Sequence, residues 1–230
     1  MLHSYPWKET SLVVELLTRS HGRIPAIAKG ARRPHSSLRG LLMAFQPLLV
    51  TWSGKGELRL LHSAEWQGGV PQLTGVSLLC GFYLNELLVK VLARDDPHEQ
   101  LFDTYAEAIR ELSASTAPAA ILRRFEKRLL TELGYALELG HAADTHAPLS
   151  AGVRYRYAPE LGPIERAQTS EMQSGFEFVQ GSTLLDIARD DYSDPVTAAE
   201  SKRLLRSLIH HHFGQPELQT RQLIKDLQQL

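Results

Sequence analysis

At 230 residues, with 43% hydrophobic and 22% charged residues and a formal net charge of −1, the chain has the balance of a soluble globular protein rather than a fibrous or disordered one. Its length suits one large domain or two ordinary ones. No apolar run approaches the roughly 20 residues that cross a bilayer, and the opening MLHSYPWKETS lacks a basic segment followed by an apolar core. The expectation is a cytoplasmic protein. The lone cysteine, Cys80 in VSLLCGFYLNELL, rules out an intrachain disulfide and a cysteine-built zinc site, and its apolar neighbours predict a core position.

Near-neutrality conceals an asymmetry. Residues 1–70 carry nine Lys/Arg against four acids, while the other 160 carry 16 basic and 22 acidic groups. From Arg19 to Arg39 there are six Lys/Arg and no acid. A local field of one sign attracts polyanions whatever the total charge, so the N-terminal third is where a nucleic-acid partner is sought first.

In chain order, SLVVELLT (Ser11–Thr18) reads as a strand, and the turn signal Ser20-His21-Gly22 separates it from RIPAIAKG. That is a hairpin in which Pro25 suggests an edge position. The segment AKGARRPHSSLRG (Ala28–Gly40) follows, with four fixed positive charges, two glycines and a proline. Then come LLMAF, PLLVTW, the turn Ser53-Gly54-Lys55-Gly56 and ELRLLHSAEW. Short strands joined by short turns predict a small barrel. From Leu73 to Ala93 apolar residues recur at spacings of three and four, which predicts a helix that stops at Asp95-Asp96-Pro97. Further helices are predicted over roughly 98–113, from Pro118 to Gly134, at TLLDIARD, from Pro195 to Phe213 with Asp194 as N-cap, and from Leu218 to Leu230. The chain thus divides into 1–70 and a helical 71–230, with an irregular insertion at about 135–181.

Catalytic chemistry finds little support. No phosphate-cradling Gly-x4-Gly-Lys-Ser/Thr loop occurs, and no nucleophile and base are spaced for catalysis. Asp190, Asp191 and Asp194 could suggest a divalent metal and a nuclease, but they lack the alternating ligands of a calcium loop and precede a helix start. Adjacent histidines such as His210-His211-His212 point about 100° apart on a helix and cannot converge on one ion. No cofactor and no metal is expected. The basic segment is different: between barrel strands, its glycines let backbone approach phosphate, its serines donate to phosphate oxygens, and arginines make two-pronged phosphate contacts. Aromatics for stacking are few, mainly Tyr5, Trp7, Phe45 and Trp52.

LHSYPWKETS, AKGARRPHSSLRG, QPLLVTW with GKGELRLLHSAEW, GFYLNELL, LRRFEKRLLTELGY and FGQPELQTRQLI occur in this order over nearly the whole chain. Together they resemble the RecO family of bacterial DNA recombination and repair proteins. The resemblance implies an α+β architecture, an N-terminal OB-fold β-barrel followed by an α-helical bundle domain. It implies a mediator rather than an enzyme: one that binds single- and double-stranded DNA, anneals complementary strands and, with RecR and the single-stranded-DNA-binding protein (SSB), promotes RecA loading in the cytoplasm at the nucleoid. Carried over to this sequence, Lys29, Arg32, Arg33 and Arg39 match the family's basic segment, and with Arg23, Ser36 and Ser37 they are the expected DNA face. Arg123, Arg124 and Leu130 are the expected site for the acidic, aromatic-ended SSB tail. The competing reading is an adaptor whose barrel binds protein and whose basic loop is merely solvated.

Two features depart from the family pattern. Many members carry four cysteines after the Leu-Gly-Tyr segment as a zinc module, whereas Leu133-Gly134-Tyr135 here leads into a stretch without cysteine. A metal-free loop or a vestigial strand pair at 153–166 is expected instead. Members also have several residues ahead of the segment that begins here at Met1-Leu2-His3, so either a shortened first strand or an upstream start is expected.

Overall fold

The computed structural model describes residues 1–165, 177–214 and 218–220. They fall into two compact units, bounded as Met1–Thr116 with Glu217–Leu230 and as Ala117–Pro216. This partition groups the first two helices with the N-terminal sheet, whereas the change of sequence character at residue 70 separates them.

The first unit is built on five strands: β1 (His3–Trp7), β2 (Ser11–Thr18), β3 (Gly22–Ala28), β4 (Leu48–Ser53) and β5 (Arg59–Trp66). Their order is β1-β2-β3-β5-β4, with β3 and β5 parallel and the other pairs antiparallel. This is the connectivity of a five-stranded Greek-key OB-fold. The expected barrel is nonetheless open: β1 and β4 form its two edges. Two hydrogen bonds span the gap beside them, from the Phe45 amide to the Met1 carbonyl (3.2 Å) and from the Met1 nitrogen to the Gln46 carbonyl (3.3 Å).

Alternation aligns Leu12, Val14 and Leu16 with Ala28, Ala26 and Ile24 across the β2–β3 pair. Their shared face, together with Leu61 and Ala64 of β5, forms the inner core. Pro25 is not at an edge, because β3 lies between β2 and β5. The β3–β5 ladder is confined to Ala26–Arg59 and Ile27–Leu60, so Pro25 sits just outside it and its missing N–H costs no ladder bond there. LLMAF is likewise not a strand; Phe45 takes a positive φ of 70°.

Two helices complete this unit, α1 (Gly75–Val91) and α2 (Glu99–Ala114). Cys80, Leu84, Leu87 and Leu88 of α1 are buried, as are Leu101, Ile109 and Leu112 of α2. One polar link crosses the core. Buried Tyr105 donates to Asn85 Oδ1 (2.6 Å), and Asn85 Nδ2 donates to the Leu2 carbonyl (2.7 Å). Burial pushes the Tyr105 hydroxyl pKa well up, which keeps it a donor. At the far end of the chain, Glu86 accepts from the amides of Gln219 and Thr220 and from the Thr220 hydroxyl. Burial works to raise the Glu86 pKa, but these bonds outweigh it and hold the carboxyl below its usual range. The predicted helix Leu218–Leu230 lies, beyond Thr220, outside the described residues.

The second unit holds α3 (Pro118–Glu132), α4 (Gly181–Ala188) and α5 (Pro195–Phe213), with β6 (Arg154–Ala158), β7 (Gly162–Ile164) and β8 (Glu177–Gln180). Asp194 caps α5 by accepting from the Thr197 amide (2.8 Å). The strand pair expected at 153–166 is present as β6–β7, and β8 joins it as a third strand on the other side of β6.

Candidate nucleic-acid interface

The segment between β3 and β4 is folded into a chain of tight turns. The Arg33 amide bonds to the Gly30 carbonyl (3.0 Å), Ser36 to Arg33 (3.1 Å), Arg39 to Ser36 (3.2 Å), and both Leu41 and Leu42 to Leu38 (3.1 Å). Gly30, with φ of 67°, makes the first turn possible. Three apolar pegs, Ala31, Leu38 and Leu42, fasten the segment to the β core. With its apolar residues turned in, the segment presents Lys29, Arg32, Arg33, His35, Ser37 and Arg39 to solvent.

Lys29, Arg33, Ser36 and Ser37 line a groove of about 670 Å³, closed on its other side by His62 and Ser63 of β5. Ser53 Oγ lies 2.6 Å from His62 Nε2, and Thr51 Oγ1 lies 2.7 Å from Ser63 Oγ, so the β4–β5 wall is tied together by hydroxyls. Arg32 turns the other way: its amide donates to the Thr10 carbonyl (2.8 Å) and its guanidinium approaches the Glu9 carbonyl (3.4 Å), on the β1–β2 turn. Arg39 is exposed beyond the groove. None of Lys29, Arg32, Arg33 or Arg39 is paired with a carboxylate among the described residues. Their charge is uncompensated locally, which is what a site for phosphates requires. His62 escaped the sequence reading because it lies at the register shift at Thr51/Trp52, where alternation no longer tells which side chains face the groove.

Three expected site residues sit elsewhere. Arg23 is held inside its unit: it bonds to Glu15 (2.9 Å) and to the Leu92 carbonyl (3.1 Å), so its charge is spent on the fold. Arg123 is 8% exposed and paired with buried Glu126 (2.7 Å), and Leu130 is fully buried. Arg124, one residue on, is half-buried. Adjacent helical positions point about 100° apart, so one arginine of the pair enters the core and the other reaches the surface.

The remaining candidates resolve into structural roles. Asp190 pairs with Lys127 (2.8 Å), Asp191 accepts from Ser193 (2.7 and 3.0 Å), and Asp194 caps α5, so the three carboxylates face three different partners. The Ser193 bonds lower the Asp191 pKa. His212 stacks on Tyr135 (centroids 4.0 Å apart), and burial, with His211 beside it, lowers its pKa. Burial does the same for His210, helped by Arg206. Among the described residues no three His, Cys, Asp or Glu side chains come together as a metal site, and no helix is long and apolar enough to cross a membrane.

Comparison with known proteins gives the chain a lineage. Residues 1–69 match the family model described as "Recombination protein O N terminal", and residues 72–222 match "Recombination protein O C terminal". The chain is 52% identical, over all its 230 residues and 95% of the relative, to "DNA repair protein RecO" of Azoarcus sp. (strain BH72). It is 53% identical to the protein of that name from Nitrosospira multiformis, with 94% of the relative covered, and 49% identical to that of Paraburkholderia xenovorans, with 76% covered. Matched along its length by both family models and by relatives at about half identity, the chain belongs to the RecO family of DNA repair proteins.

Proposed function

We propose that this chain is a recombination mediator that binds single- and double-stranded DNA and anneals complementary strands, and that it works with RecR and SSB to promote RecA loading. The observation that carries the DNA reading is the turn-locked segment Lys29–Arg39, four of whose cations have no carboxylate partner among the described residues. Two strands repel through their phosphates, and a basic face that neutralises both lowers that barrier. No chemistry on the strands is part of this role, and the chain acts without cofactor. On the second unit, Arg124 is the group we assign to the carboxylates of an acidic SSB tail, with Arg123 and Leu130 as the packed layer beneath it.

Annealing of complementary oligonucleotides, one labelled with a donor and one with an acceptor dye, tests the proposal in the presence and absence of SSB. The wild-type chain should accelerate pairing, and Arg32→Ala/Arg33→Ala should weaken strand affinity by roughly tenfold at physiological salt, the loss expected for about two phosphate contacts. No acceleration by the wild type would overturn it.

A further inference from the structure

We propose that the outer face of β1 is a stacking platform for the bases of single-stranded DNA, continuous with the basic segment that takes the phosphates. This rests on the DNA reading above and deepens it: it makes the site one for unpaired strands. Residues two apart on a strand share a face, so His3, Tyr5 and Trp7 form one row on β1, an edge strand of the sheet. All three are exposed, Tyr5 and Trp7 among the few large aromatics left in solvent. Scattered exposed rings need no explanation, but three in register on one edge do.

The spacing suits flat bases. Alternate residues of a strand lie about 6.6 Å apart, close to two base thicknesses of about 3.4 Å each. The His3 and Tyr5 rings have centroids 6.3 Å apart and planes 29° from parallel, so the slot between them is bounded by two near-parallel rings. Bases already stacked and paired in a duplex cannot enter such slots; bases of an unpaired strand can.

Charge flanks the row at its Trp7 end. After Trp7 comes exposed Lys8 in the β1–β2 turn, and the same turn holds Arg32 through the Thr10 and Glu9 carbonyls. The Gly30 amide is also within reach of Ser11 Oγ (3.3 Å). The aromatic row and the basic segment are therefore physically joined. A strand laid along β1 thus finds rings for its bases and the basic segment beside its Trp7 end.

Fluorescence anisotropy with a labelled oligothymidine, the same backbone made abasic, and a duplex of equal length tests the platform. The wild-type chain should bind the abasic strand at least tenfold more weakly than oligothymidine, an outcome that needs no variant to fold. Tyr5→Ala and Trp7→Ala should each weaken oligothymidine binding about tenfold with duplex affinity and salt dependence unchanged, and Trp7→Phe should bind nearly as the wild type. Equal affinity for the abasic strand, or an equal loss on the duplex, would overturn the platform and leave this edge to a protein partner. If Arg32→Ala/Arg33→Ala loses affinity while the aromatic variants do not, only the platform falls; if neither does, the DNA reading of the loop falls too.

Discussion

Arg123→Ala is expected to destabilise the second unit by about 3–5 kcal/mol, the usual cost of stripping one partner from a buried ion pair. Glu126 is 1% exposed and Arg123 holds it at 2.7 Å; without the guanidinium a carboxylate is left in the core close to Tyr192. The Arg123 Nε is itself buried without a hydrogen-bond partner among the described residues, so the pair is held by charge more than by a full set of bonds. Urea denaturation should show the midpoint falling with little change in slope. The consequence for function is practical: any loss of SSB-tail binding in Arg123→Ala would report unfolding. Arg124→Ala, half-buried and on the neighbouring helical position, should cost less stability than Arg123→Ala and is the variant that tests the proposed tail site. A stability loss as large in Arg124→Ala as in Arg123→Ala would contradict this division.

Gly22→Ala is expected to cost about 3 kcal/mol or more, combining left-handed backbone strain with overpacking. Gly22 ends the β2–β3 turn at φ of 65°, and a Cβ there would stand 2.0 Å from the Asp96 carbonyl oxygen. That neighbour is not free to retreat. The segment after α1 is tied to β3 by the bridge between Arg23 and Arg94 and by the Asp95 amide on the Arg23 carbonyl (3.1 Å), and to β5 by Arg59 on Asp95 (2.7 Å). Arg23 is the centre of this arrangement, which is why its charge is unavailable to a ligand. Thermal melting of Gly22→Ala should fall well below wild type; an unchanged midpoint would mean that the 94–96 segment does not pack there.

The parts of the fold that were legible in the sequence are those whose signal is local. β2 and α5 follow the expected bounds because a Val/Leu-rich run closed by a turn signal, a proline at the first helical turn and an aspartate cap each act within a few residues. β1 was legible only through the family resemblance: HSYPW has no buried face of its own and owes its strand conformation to pairing with β2. The open sheet, the central place of Pro25 and the strand β8 depend on partners far along the chain. The site divides in the same way. A run of cations with no acid near it stays exposed, so Lys29, Arg32, Arg33 and Arg39 could be chosen on charge. Arg23 and Arg123 could not be told from them, because what buries each is tertiary: the Leu92 carbonyl for one, and the packing of α3 for the other. His62 entered the groove only through a bulge.

The central claim is that the Lys29–Arg39 segment neutralises DNA phosphates. It is tested most directly by the salt dependence of oligothymidine affinity for the wild type and for Arg32→Ala/Arg33→Ala. Each phosphate contact on a single strand contributes about 0.7 to the slope of log K against log salt, so the double variant should be shallower by about 1.4. Parallel lines for the two proteins would contradict the claim.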